Sequence, residues 1–385
     1  MSIRVVVIDD SVVIRRLVVQ ALETDPDIEV VATGANGKLG IARVEQHQPD
    51  AITMDIEMPE MNGVDAVREL RKKGSRTPII MFSTLTERGA TATLDALTAG
   101  ASDYVTKPSN VGSLHESLKV VADQLIPKIK ALVPHKATTR TSRGGVTKRP
   151  GSPVAPGQLA QATAHASFRQ SSVTTRTDEH SHPIRAVVVG SSTGGPEALS
   201  TMIKSLSQPL PVPMIITQHM PPVFTRQLAA RLDRLTPNTV SEAPDRARLA
   251  PGHIYIAPGD YHLELSYHDN GVYTRLTQGP PVNFCRPSVD VMFRSAHTVY
   301  GPELLSVILT GMGSDGKNGA GDIAQAGGTV IVQDQQTSVV WGMPGATATA
   351  GYAHRILPIA EIGPAIQAIL ARTKAPSTPH KGGAL

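Results

Sequence analysis

Residues 4–55 read RVVVIDDSVVIRRLVVQALETDPDIEVVATGANGKLGIARVEQHQPDAITMD. Short aliphatic runs (RVVVID, IEVVATG, AITMD) alternate with longer amphipathic ones, VVIRRLVVQALET and the stretch ending at His47. Near-continuous apolar runs suit strands buried on both faces, so the alternation predicts a parallel sheet with helices on either side. The pattern continues through TPIIMFST, a helix around Ala90–Ala99, the strand SDYVTKP and a last helix from about Val111 to Leu132. Five strand-helix pairs in about 130 residues complete a flavodoxin-like unit.

Working outward, the periodicity disappears between 133 and 183, where Ser, Thr, Pro, Gly, Gln and Arg dominate in stretches such as TTRTSRGGVTKRPGSPVAPGQ. Too little apolar surface is available there to offset chain entropy, which predicts a flexible linker. Order returns at IRAVVVG, opening a second α/β domain expected over 184–372 with later strands PMIITQH, HIYIAPGD, HLELSYH, LLSVILTG and GTVIVQD. The run HIYIAPGDYHLELSYH reads as a hairpin and predicts some antiparallel character. Residues 373–385 read as a disordered tail. A chain of 385 residues is of a size for two cores, and 40% apolar against 18% charged residues excludes a disordered or fibrous class.

The charge is informative through its location. Residues 133–182 hold seven Lys/Arg against two Asp/Glu, so the formal net charge of +4 resides in the linker and the rest of the chain is near −1. Neither half offers aromatic platforms or a basic recognition helix, and nucleic acid is not expected as a partner. No run approaches the roughly 20 apolar residues that span a bilayer, so no membrane insertion is expected. A single cysteine, Cys285, and an opening Met1–Asp10 without a signal-peptide core predict a cytoplasmic protein, and Cys285 reads as a small packing residue.

Three carboxylates fall at strand C-terminal ends of the first unit: Asp9 and Asp10 after RVVVI, and Asp55 after AITM. Converging there they repel, and a hard divalent cation such as Mg²⁺ relieves the repulsion. A shielded carboxylate can then attack a phosphoryl group, with Lys107 neutralising its oxygens and Ser83 hydrogen-bonding one of them. Any one of these residues alone would more often be a cap or a surface group; the set at successive strand ends is what carries the reading. VVVIDDS, TMDIEMPEMNG, MFST and DYVTKPS resemble the receiver domain of two-component response regulators over residues 1–125. The resemblance implies Asp55 as phospho-acceptor, Asp10 as direct metal ligand with Asp9 assisting, the backbone carbonyl of Glu57 as a further ligand, Ser83 and Lys107 as phosphate contacts, and Tyr104 as the aromatic that reorients on activation.

In the second domain the strand RAVVVG runs into Gly190-Ser191-Ser192-Thr193-Gly194-Gly195-Pro196 and a helix-compatible EALSTMIKSL. As a phosphate cradle this loop is weak, because it matches neither G-x-G-x-x-G nor G-x-x-x-x-G-K-[ST]. As a nucleophile turn it is better: Gly190 to Gly194 satisfies G-x-S-x-G with Ser192 at the corner. His219, ending PMIITQH, and Asp315, in LTGMGSDG after SVILTG, add an imidazole and a carboxylate at two further strand ends. A serine hydroxyl needs a base, and the base needs a carboxylate to orient it and stabilise its cation.

GSSTGGPEAL, ITQHMPPVFT, RPSVDVMF and ILTGMGSDGKNGA resemble the catalytic domain of the chemotaxis protein-glutamate methylesterase (CheB) family over 185–370, a family expected to fold here as a doubly wound α/β hydrolase domain of mostly parallel sheet. The resemblance implies Ser192 as nucleophile, His219 as base, Asp315 as its partner, and the backbone N–H of Met312 and Thr193 as oxyanion donors. It further implies a carboxylic ester hydrolase acting on glutamate methyl esters of chemotaxis receptors, with glutamine deamidation as a side activity and a chemotaxis histidine kinase as phosphoryl donor. The chain is expected to act as a monomer, with Mg²⁺ in the receiver and no cofactor in the catalytic domain. Phe284-Cys285 before RPSVD departs from the polar residues expected there, with a consequence for substrate fit. The competing readings are a non-enzymatic, phosphorylation-dependent adaptor and a nucleotide-dependent enzyme using the Gly-rich loop.

Overall fold

The computed structural model describes residues 2–108, 113–133, 175–177 and 182–372. The expected tail at 373–385, and the expected linker apart from residues 133, 175–177 and 182–183, lie outside the described residues.

The first domain runs β1 (Ile3–Ile8), α1 (Val12–Leu22), β2 (Ile28–Gly34), α2 (Gly37–His47), β3 (Ala51–Asp55), α3 (Gly63–Lys72), β4 (Ile79–Ser83), α4 (Glu87–Thr98), β5 (Asp103–Thr106) and α5 (Leu114–Leu132). The sheet is parallel in the order β2-β1-β3-β4-β5. Every residue of β3 and β4 is buried, as expected of strands covered by helices on both faces. The helices start on their own signals: Ser11, Asn36, Asn62, Thr86 and Ser113 each accept a hydrogen bond from a first-turn amide. The last helix continues past 125 to Leu132 and carries Lys128.

The second domain runs β6 (Ala186–Ser191), α6 (Gly195–Lys204), β7 (Met214–Gln218), α7 (Phe224–Asp233), β8 (Thr239–Glu242), β9 (His253–Ile256), β10 (His262–His268), β11 (Gly271–Thr277), α8 (Val289–Tyr300), β12 (Leu304–Ile308), α9 (Lys317–Gln325), β13 (Thr329–Gln333), α10 (Met343–Thr349), β14 (Arg355–Leu357) and α11 (Ile359–Arg372). Its main sheet is parallel, in the order β14-β13-β12-β6-β7-β9-β8. The chain starts at β6 in the middle, builds outward through β7, then returns to lay β12 on the other side of β6. That reversal makes the C-terminal ends of β6 and β12 the crevice where open α/β sheets place their functional groups.

One expected pairing is corrected. HIYIAPGDYHLELSYH is not a hairpin: β9 is a parallel member of the main sheet, between β7 and β8. The antiparallel ribbon is formed one element later, by β10 and β11, from His262↔Thr277 to His268↔Gly271. The two-residue Asp269-Asn270 turn, both residues at positive φ, closes it.

The two domains share an apolar contact. The Tyr104 ring stacks on Phe224 of α7 with centroids 4.9 Å apart and planes within 7°. Around this pair, Arg231 donates to Asp95 (3.0 Å), Thr98 donates to Glu197 (3.1 Å), and Leu94 and Leu97 join the same core cluster as Leu199 and Leu228. Phe224 has no solvent exposure. Phe224→Ala is expected to cost about 3–5 kcal/mol, the range for deleting a buried aromatic side chain, and to lower the urea midpoint of the full chain.

Candidate active site and phosphorylation site

In the receiver, Asp9 and Asp55 are buried and Asp10 is exposed, and one ligand atom from each lies within 4.8 Å of the others. Burial, foremost, raises the Asp9 carboxyl above its ordinary range. Burial likewise pushes Asp55 up to about 6, with the Asp9 charge adding to the effect and Lys107 opposing it. Lys107 Nζ lies 2.8 Å from Asp55 Oδ1 and 3.2 Å from Asp9 Oδ2, while the latter oxygen has no hydrogen-bond partner. A buried oxygen left without a donor, in an all-oxygen set of three carboxylates, fits a hard divalent cation. A cavity of about 290 Å³ adjoins the cluster, lined by Asp10, Asp55, Glu57, Ser83 and Lys107 among others. The Ser83 hydroxyl donates toward the carbonyl oxygens of Thr84 and Gly89 and is bonded by Thr93 Oγ1 (2.8 Å), so it is tied to α4 rather than to Asp55. Glu57 is exposed and pairs with Arg88 at 3.3 Å.

In the second domain the three candidate groups come from adjacent strand ends. Backbone bonds hold the loops in register: Ser192 N donates to Thr310 O (3.0 Å) and His219 N to Ser191 O (3.1 Å). Ser192 follows β6 at a turn completed by Gly194, whose φ of +75° is left-handed. Gly195 admits no side chain, because a Cβ there would stand 1.9 Å from Gln218 Oε1. Gln218 braces the turn, accepting from Ser191 Oγ (2.7 Å) and donating to Ser192 O (3.0 Å). Helix α6 then starts with no side-chain cap, and neither the Thr193 nor the Met312 amide donates to another described residue. Those two amides are the ones expected as oxyanion donors.

His219 and Asp315 are directly bonded, Nε2 to Oδ2 at 2.8 Å, with the imidazole 12% exposed and the carboxylate 3%. Asp315 also accepts from the α8 amides Val289 N (2.6 Å) and Asp290 N (3.1 Å), from Gly316 N (3.1 Å), Ser288 Oγ (2.9 Å) and Asn283 Nδ2 (2.7 Å). Burial opposes its ionisation, but the bonds from His219 and then Asn283 prevail and lower it to about 2. Burial likewise disfavours the imidazolium, yet the bonds to Asp315 and Cys285 raise His219 to about 9. The Cys285 contact lies at the second ring nitrogen: Sγ is 3.5 Å from Nδ1. No hydrogen bond joins Ser192 Oγ to the ring, so of the three candidate groups only the imidazole and the carboxylate are directly bonded.

Several residues here carried no recognised signal as site groups: Asn283 and Ser288 on the carboxylate, Gln218 behind the turn, Cys285 on the imidazole. A further one comes from the other domain. Asp103 of β5, 4% exposed, accepts from Thr193 Oγ1 at 2.7 Å and is paired with Lys128 of α5.

A receiver joined to an α/β output domain with a serine turn, an imidazole and a carboxylate at one sheet edge defines a response regulator of enzymatic type. The family profile described as "Response regulator receiver domain" matches residues 5–119, and the one described as "CheB methylesterase" matches 187–366. A protein-glutamate methylesterase/protein-glutamine glutaminase of a Nocardioides species is 56% identical over 374 residues, covering 97% of each chain. One of the same description from Trichodesmium erythraeum is 42% identical over 356 residues, covering 92% of this chain and 96% of that protein. The crystal structure of the Thermotoga maritima CheB methylesterase catalytic domain matches at 42% identity and a TM-score of 0.47, covering 49% of this chain and 98% of that one. The chain belongs to the CheB family of receiver-linked methylesterases.

The ion pair sets a pH signature. His219 is raised on folding, so its contribution is complete below its ordinary 6.5 and is lost as pH climbs through about 9. Asp315 is depressed, so its contribution holds above about 4 and is lost as pH falls through about 2. Asp315→Asn is therefore expected to cost about 3–5 kcal/mol in urea unfolding at pH 6 and distinctly less near pH 10.

Proposed function

We propose that this chain is a phosphorylation-controlled protein-glutamate methylesterase that demethylates glutamate methyl esters, and deamidates glutamines, on the cytoplasmic part of methyl-accepting chemotaxis receptors. The reading is carried by the buried His219–Asp315 pair beside the Ser192 turn at the β6/β12 switch point, in a chain whose relatives bear that double activity in their names. Among the described residues no helix is long and apolar enough to cross a membrane. The chain acts as a monomer, with 1–125 as the receiver and 184–372 as the catalytic domain.

Ser192 Oγ attacks the ester carbonyl carbon and gives its proton to His219. Since Nε2 is committed to Asp315, Nδ1 is the nitrogen that receives the proton, and on substrate entry Nδ1 exchanges its Cys285 contact for a hydrogen bond from Ser192 Oγ. The oxyanion is met by the Thr193 and Met312 amides at the uncapped start of α6 and the β12 loop, where one good donor contributes about 10²–10³ in rate. The C–O bond to methoxide breaks as His219 returns the proton, and methanol leaves. Water, deprotonated by His219, then hydrolyses the acyl-serine and regenerates the hydroxyl; a glutamine amide releases ammonia by the same steps.

In the receiver, Asp55 is the phospho-acceptor for a chemotaxis histidine kinase. Asp9, Asp10, Asp55 and the Glu57 carbonyl would hold Mg²⁺, which supplies charge neutralisation at the phosphoryl oxygens. Lys107 provides a second cation and Ser83 a hydrogen-bond donor once it leaves its α4 partners. The control reaches the second domain through β5: Asp103 grips Thr193, next to the nucleophile, and Tyr104 lies on Phe224, five residues after His219. Phosphorylation loosens this grip, and Tyr104 reorients with it.

Methanol release from methylated receptor membranes, with and without acetyl phosphate and Mg²⁺, tests the proposal. Ser192→Ala is expected to abolish release; persistence of the wild-type rate in this variant refutes the nucleophile assignment. Asp103→Ala removes a buried acceptor from Thr193, a loss worth about 1–2 kcal/mol, and should raise the unphosphorylated rate roughly tenfold while changing the phosphorylated rate by less than about twofold.

A further inference from the structure

The segment between the β10–β11 ribbon and α8 closes on a tight turn. Val282 and Cys285 exchange both backbone hydrogen bonds, N to O at 3.1 and 3.0 Å, leaving Asn283 and Phe284 at the corner. Both corner residues have left-handed backbone, with φ of +52° and +63°. A two-residue turn of this kind favours Asn first and Gly second, because only Gly adopts the second position without strain. Here a phenylalanine occupies it, and its ring makes no packing that could offset the strain: Phe284 is 102% exposed, against at most 71% for any other large exposed apolar residue among those described. Strain held at an exposed position beside reacting groups points to a function outside the fold's own packing.

The neighbours of Phe284 define that function. Asn283, one residue before, donates to Asp315 at 2.7 Å; Cys285, one residue after, lies 3.5 Å from His219 Nδ1. Phe284 is thus carried by a turn whose two flanks are bonded to the base and its carboxylate. On the other side of the serine turn, half-exposed Val339 lies against Gly194, whose built Cβ would stand 2.5 Å from Val339 Cγ2. Two exposed apolar side chains are thus held by segments that touch the candidate site, one bonded to the imidazole and carboxylate and one packed on the serine turn.

We propose that Phe284 is a specificity-determining residue that packs on an apolar side chain of the protein substrate next to the methylated glutamate, with Val339 as the opposite rim. The inference rests on the methylesterase reading for the identity of the substrate, and it adds that selection for a protein chain is exerted by this turn. An aromatic anchor of this sort is the kind of contact that dominates recognition.

The test uses the full chain with acetyl phosphate and Mg²⁺ on methylated receptor membranes. Phe284→Ser is expected to raise KM for methanol release about tenfold with kcat changed less than about twofold, as loss of partial burial of one aromatic ring implies. Phe284→Leu should recover most of the loss, which a merely structural turn would not require. In parallel, the Ser192→Ala chain is sedimented with the same membranes, where adding Phe284→Ser should weaken binding by a similar factor. Equal KM in wild type and Phe284→Ser, or an equal loss in Phe284→Leu, overturns the inference and leaves the methylesterase reading standing. Phe284-dependent sedimentation with no methanol from the wild type overturns the methylesterase reading and retains the docking role, and absence of both removes the two together.

Discussion

The catalytic half of the molecule is organised around one carboxylate. Asp315 takes five hydrogen bonds from the loop after β12, the start of α8 and the 283 turn, and still faces the imidazole of His219. Helix α8 has no cap of its own from Ser288, so the negative charge standing at its first amides is also what completes that helix. The same charge raises the basicity of the imidazole and, by holding Nε2, orients its other nitrogen. Position, basicity and helix start are therefore one constraint, and Val289, packed so closely on Gly190 and Gly316 that neither could carry a Cβ, leaves little room for the pieces to shift.

The receiver presents the opposite electrostatic situation. Its carboxylates are gathered without enough donors, and Lys107 is shared between two of them. An arrangement that is incompletely satisfied at rest is readily changed by added charge, which suits a switch. Its mechanical output is short. The Lys107 amide bonds to Ser83 O (2.6 Å), and three and four residues back on the same strand Tyr104 and Asp103 touch the second domain. One four-residue strand thus touches the serine turn and the segment after His219 together.

Much of this was legible in the sequence because it is local. Buried strands of Val and Ile, the acids at β1 and β3, and the serine, imidazole and carboxylate at β6, β7 and β12 all lie in runs whose period or motif can be read directly. HIYIAPGDYHLELSYH resembles a hairpin because two strand-like runs flank a Pro-Gly-Asp turn signal, and only the neighbouring β7 decides that β9 joins the main sheet in parallel. Strands β8, β11 and β14 were equally opaque: their burial is partial and their patterns irregular. The contacts of Asp103 with Thr193 and of Cys285 with His219 span 90 and 66 residues, and no local pattern encodes such meetings. Cys285 reads alone as a packing residue; its role emerges only from the ring nitrogen that it faces.

The helix starts carry a consequence for how the molecule assembles. All five receiver helices begin on a residue of their own segment, so each can nucleate where it stands. Helix α8 instead waits for a carboxylate some 25 residues further along the chain, delivered only when β12 has docked beside β6. Closing that long loop is the slower event, and the His219–Asp315 pair forms in the same step that seats the helix. The second domain should therefore mature late and all at once, with no compact intermediate that has its helices in place and its chemistry missing.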